Sequence, residues 1–142
     1  MATESVGKPD LAGRPDIERL VNHFYGRVRE DALLGPIFND LAKVDWDHHL
    51  PKMYAFWQMA LFREGNFHGN PLVAHAALLP LTPMDWPRFN RWLELFHGSI
   101  DDLFSGERAE HLKRISEDMA HVIHARINGV PDRRFSAGPR VG

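Results

Sequence analysis

Apolar residues recur at offsets of three and four through most of this chain, and no useful length alternates with period two. Ile17, Leu20, Val21, Phe24 and Val28 form the first such stripe, with Tyr25 at its edge. Pro15 and Asp16 open the helix that carries it: proline fits where a missing N–H costs nothing, and an acid suits the N-terminal dipole. Leu33-Leu34-Gly35-Pro36 stops it, after one extra turn begun at Asp31. Ile37 and Phe38 then stand as apolar residues in a connector. Residues 44–63 repeat the helical pattern through Trp46, Leu50, Met53, Phe56, Trp57, Ala60 and Leu61. Pro51 interrupts this run. It removes one hydrogen bond and crowds the carbonyl four residues back, so the expectation is a helix starting near His48 or a kinked first turn.

Residues 64–70 read as a loop from their glycines and asparagines. Asn70 can cap, and Pro71 suits the first position of a helix of about two turns, ended by Leu-Pro-Leu-Thr-Pro. His75 sits in that short helix among Leu72, Ala76, Leu78 and Leu79. A longer helix is expected from Thr82-Pro83, with Phe89, Trp92, Leu93 and Phe96 on one stripe that continues to Ile100, Leu103 and Phe104. Ser105-Gly106 breaks it, and Ser105 is the expected cap of a last helix. That helix carries Ala109, Leu112, Ile115, Met119, Val122 and Ile123 and stops at Gly129. The pattern describes an all-α domain over residues 14–128. A flexible extension, 1–13, is expected before it and a loose basic tail, 129–142, after it. There is no internal repeat.

With 142 residues the chain holds one core, and 44% hydrophobic with 25% charged residues is ordinary for a globular domain. A net charge of −2 gives no reason to expect nucleic acid or an anionic membrane surface as partner. The absence of cysteine excludes disulfides, thiolate zinc, iron–sulfur clusters and a cysteine nucleophile. No signal pattern opens the chain and no apolar run is long enough to span a bilayer, so a cytoplasmic location is expected. Nine histidines and four tryptophans are what single this composition out.

His75 is the first candidate for chemistry. A single histidine on an apolar helix face is ordinarily a core residue with satisfied hydrogen bonds; it is also the axial base that a haem iron needs. His49 and Tyr25 lie near the apolar stripes of two different helices. A phenol and an imidazole that converge on a cavity can hold a polar ligand, whereas apart they are ordinary edge residues. Trp92 either fills volume or offers an indole N–H. His121 and His124, one turn apart, could share a metal, but no third ligand stands at useful spacing. Phosphate loops, Gly-x-Ser-x-Gly elbows and His-Glu-x-x-His are absent.

Four blocks, FYGRVREDALLGPIF, DHHLPKMYAFW, GNPLVAH and FNRWLELF, come in this order between residues 15 and 127. Together they resemble the group III truncated haemoglobins. The resemblance implies a two-over-two helical sandwich around haem b. It places the proximal histidine at His75, the distal tyrosine at Tyr25, the distal-helix histidine at His49 and the ligand-facing tryptophan at Trp92. Phe38 matches the aromatic that packs on the haem face, and Met53, Phe56 and Trp57 match pocket-lining positions. Lys52 is placed as a partner for a haem propionate, with Arg63 as a second. Pro51 departs from the regular distal helix and bears on where His49 points.

The function this implies is binding of dioxygen, carbon monoxide or nitric oxide at a five-coordinate ferrous iron in a polar distal pocket, with a reductase as partner. The alternative is a redox haem enzyme acting on peroxide or nitric oxide. A helical interaction module without haem, using its aromatic stripes only as core, is the reading from another class.

Overall fold

The computed structural model describes residues 7–65 and 67–135. Among them the chain forms helices and no strand: α1 (Arg14–Glu30), a π-helical turn (Ile37–Leu41), α2 (Trp46–Phe62), α3 (Pro71–Ala76), α4 (Trp86–Leu103) and α5 (Glu107–Asn128). α1 packs on α2 and on α4, α4 packs on α5, and α2 reaches α5. Two helix pairs are thus laid over one another, the two-over-two arrangement. α3 packs on α5. No described helix is long and apolar enough to cross a membrane.

Most of the stripes read from the sequence close the core; Val122, counted in the stripe of α5, is instead exposed. Ile17, Leu20, Val21, Phe24 and Val28 of α1 are fully buried, as are Phe96, Ile100 and Phe104 from the α4 side and Leu112 of α5. Phe24 meets Tyr25, Trp92 and Phe96 edge-on, with ring centroids 4.7, 5.2 and 5.0 Å away. Truncating such a buried ring typically costs about 3–5 kcal/mol, which is a large part of a small domain's stability.

Three boundaries differ from the sequence expectation. α2 starts at Trp46, not His48, because the Asp45 carboxylate accepts the Asp47 N–H at 3.2 Å and caps the helix there. The helix runs on through Pro51, whose ring lies on an exposed face. α4 starts at Trp86 rather than Thr82. The Leu81 and Thr82 N–H groups donate to the Leu78 carbonyl, which keeps this stretch in the turns that follow α3. Asp85 is the N-cap, and Pro87 is the proline that opens α4.

α5 is capped from a distance. Gly106, not Ser105, is its N-cap residue, at φ 136°, a region open to glycine. The Asp10 carboxylate accepts the N–H groups of Arg108 and Ala109, each at 2.9 Å. A Cβ on residue 106 would stand 2.6 Å from the Asp10 carboxyl carbon. Leu11 beside it is fully buried, and Ser105 N–H donates to the Pro9 carbonyl at 2.9 Å. The segment before α1, expected as a loose extension, therefore packs on the α4–α5 corner from residue 9. The expectations for residues 1–6 and 136–142 lie outside the described residues.

Candidate cofactor pocket

α3 is built around one histidine. The Asn70 side chain accepts the N–H groups of Leu72 and Val73 at 3.1 and 3.3 Å, and Pro71 takes the first helical position. His75, one turn on, donates its Nδ1–H to the Pro71 carbonyl at 2.6 Å. With the proton on Nδ1, the lone pair is on Nε2. α3 buries none of its residues fully, although Leu72, His75 and Ala76 make an apolar side. On α2 likewise, Leu50, Met53, Phe56 and Ala60 are only half-buried, while Trp57 is 2% exposed. Apolar helix faces left half-covered are lined as a ligand cleft is.

Tyr25 of α1 and His49 of α2 come together. The His49 Nε2 lies 3.4 Å from the Tyr25 hydroxyl, with ring centroids 5.3 Å apart. Tyr25 is 5% exposed, and burial raises its pKa above the ordinary tyrosine value. His49 is lowered, first by burial and then by the charges of Lys52 and His75. Phe38, in the π-helical turn, packs 5.9 Å from the Tyr25 ring. Pro51 does not turn His49 outward, because the helix is already established by the Asp45 cap before proline is reached.

Trp92 stacks on Phe96 at 4.9 Å and on Trp57 at 6.2 Å. Its indole N–H makes no hydrogen bond to another described residue. Lys52 is exposed one turn beyond His49. Arg63 is remote from His49, in the left-handed C-cap of α2, and His48 is exposed. His121 and His124 do not gather a metal: no group of three ligating side chains exists among the described residues. They pack on Trp86, His121 face to face at 4.3 Å and His124 edge-on at 5.5 Å. The residue that sequence reasoning missed is Trp46. Its ring lies 5.2 Å from Tyr25 and 5.6 Å from His49. Its position, one turn before His49 on the same helix, was the available signal.

No protein-family model matches the chain. The group 3 truncated hemoglobin ctb of Campylobacter jejuni is 35% identical over 119 residues, covering 82% of this chain and 88% of that protein. The chain belongs to the group III truncated haemoglobins. The crystal structure of a group III truncated hemoglobin from Campylobacter jejuni agrees with this fold at a TM-score of 0.74 and 30% identity, over 84% of this chain and 94% of that one. Membership implies a haem cofactor. The residues of this truncated haemoglobin fit that group in kind. A haem iron takes a neutral imidazole whose other N–H is held by a carbonyl, as the Nδ1–H of His75 is held by Pro71. A flat macrocycle takes apolar walls, which α2 and α3 leave half-covered, and Lys52 is a cation beside His49.

Proposed function

We propose that this chain holds haem b through His75 and binds dioxygen or another diatomic ligand, carbon monoxide or nitric oxide, in a polar distal pocket. The observation that carries the reading is the His75 Nδ1–H donated to the Pro71 carbonyl at 2.6 Å, which orients the ring and reserves Nε2 for iron. Haem held there would supply a ferrous iron to which a diatomic ligand can bind. The chain supplies what surrounds it. Burial keeps the Tyr25 hydroxyl protonated, so it remains a donor across the physiological range. Burial also favours neutral His49, which carries one N–H donor and one acceptor. Trp92 has an indole N–H to offer as a third donor. Phe38, Met53, Phe56 and Trp57 exclude water, and in such surroundings each hydrogen bond to a partially charged ligand gains strength. Lys52 is the residue placed to meet a propionate.

The test is the visible spectrum of the purified protein beside His75→Ala, oxidised and then reduced under carbon monoxide. The expected result is an intense Soret band that sharpens and shifts with carbon monoxide and is lost or weakened in the variant. A colourless protein that takes up no haemin would return the chain to a helical module without cofactor. The Tyr25–His49 contact favours a second reading, in which a proton held between phenol and imidazole serves reduction of peroxide or reaction with nitric oxide. A steady-state peroxidase rate no better than that of free haemin removes the peroxide form of that reading.

A further inference from the structure

Three elements meet on one indole at the edge of the pocket. Trp46 opens α2, and its ring packs 5.2 Å from Tyr25 of α1 and 5.6 Å, edge to face, from His49 of its own helix. Phe38 of the π-helical turn stacks on it at 6.1 Å and 20°. The guanidinium of Arg29, from the last turn of α1, lies over the same ring with Cζ 4.1 Å from the centroid. Asn39 donates to the Arg29 carbonyl at 3.1 Å and ties the π-helical turn to that end of α1. Arg29 makes no ion pair among the described residues, so no carboxylate draws it away from the indole.

His49 needs such support. Its polar contact is the Tyr25 hydroxyl at 3.4 Å, near the outer limit for a hydrogen bond and therefore a weak constraint on the ring. Tyr25 is almost wholly buried, Trp46 is half-buried and Arg29 is exposed. The indole thus covers one side of the half-buried His49 and of the buried Tyr25, with a cation over its face.

We propose that Trp46, clamped by Arg29, is a positioning residue that holds His49 turned to Tyr25 and closes this side of the distal pocket to water. This rests on the haem-pocket reading above. Trp46 acts through its neighbours and needs no contact with the ligand.

The experiment is the carbon monoxide stretching band of the haem-loaded protein, read beside carbon monoxide release, in wild type, Tyr25→Phe, Trp46→Ala, Trp46→Phe and Arg29→Met. Tyr25→Phe is the reference for a lost donor and moves the band to higher frequency. Trp46→Ala is expected to move the band in that same direction and to speed release about fivefold, the weight of one ordinary hydrogen bond. Trp46→Phe restores both in large part, because a ring is returned to the same neighbours. Arg29→Met, which keeps a stem of similar length without charge, falls between. A loaded Trp46→Ala protein with the wild-type band and release overturns the proposal. If Trp46→Ala does not fold, Arg29→Met decides, and an unchanged band there overturns it equally. A wild-type band that Tyr25→Phe leaves in place is a different failure: it removes Tyr25 as a donor to the ligand, and the role of Trp46 with it.

Discussion

At Tyr25 a buried hydroxyl is joined to one histidine and surrounded by rings. Phe24, Phe38 and Trp46 all pack against it, so Tyr25→Phe keeps the shape of the wall and removes the donor alone. If that donor holds a bound dioxygen, its loss should cost about 1–2 kcal/mol and speed dissociation roughly tenfold. Stopped-flow displacement by carbon monoxide measures this directly, and an unchanged rate takes the hydroxyl out of ligand retention. His75, Tyr25 and Trp92 were singled out because each sits in a distinctive block of sequence. Periodicity alone left all three as ordinary core or edge residues. Trp46 was not legible as part of the pocket because an aromatic in a helical stripe reads as core. Only the fold shows which neighbours it has, and Arg29, seventeen residues upstream, gives no sign of the indole it covers.

Helix ends tell a similar story. Sequence signals located the helices well, since their stripes are long and regular. Their starts were misread wherever two signals competed. Thr82-Pro83 and Asp85-Trp86-Pro87 are both credible openings, and the turns that hang on the Leu78 carbonyl select the second. Pro51 looked like a boundary, but a capped helix already in register carries it on a solvent-facing side. The cap of α5 was beyond local reasoning altogether, because its carboxylate comes from Asp10, 98 and 99 residues before the N–H groups it accepts. Asp10→Ala removes both acceptors and should destabilise the domain by about 1–2 kcal/mol, the usual weight of a helix cap. Chemical denaturation would show this as a lower midpoint with an unchanged slope. A midpoint equal to wild type would mean that water replaces the carboxylate without loss.

Across the whole molecule, buried and half-buried histidines should set the response to acid. His49, His97, His121 and His124 all lie below the ordinary histidine value, in each case first because burial penalises the charged ring. His121 is bracketed by Glu117 and Asp132 at 3.7 and 4.0 Å, with Arg133 and Arg134 opposing its protonation; His124 faces Asp85 and Arg133. A histidine that binds its proton less readily folded than unfolded makes the unfolded chain the better proton acceptor. As pH falls below about 6.5 stability therefore declines, and the decline ends once the folded-state values are passed. The thermal midpoint is expected to drop between pH 7.5 and pH 5.5, by calorimetry, and to drop less in His124→Gln. A midpoint that is level or rises across that interval contradicts this account. The two-over-two architecture was legible as a resemblance and is matched by a relative's crystal structure, whereas the assembly of the pocket required distant parts of the chain to be seen together. One feature of that assembly reaches beyond chemistry. Trp57 and Trp92 stack on one another, and Trp46 packs on Tyr25. Indoles emit light, and a pigment lodged among them drains that emission by energy transfer. If the haem proposed above lodges beside them, the protein is dark when filled and glows when emptied, and departure of the pigment can be watched in real time with no label attached.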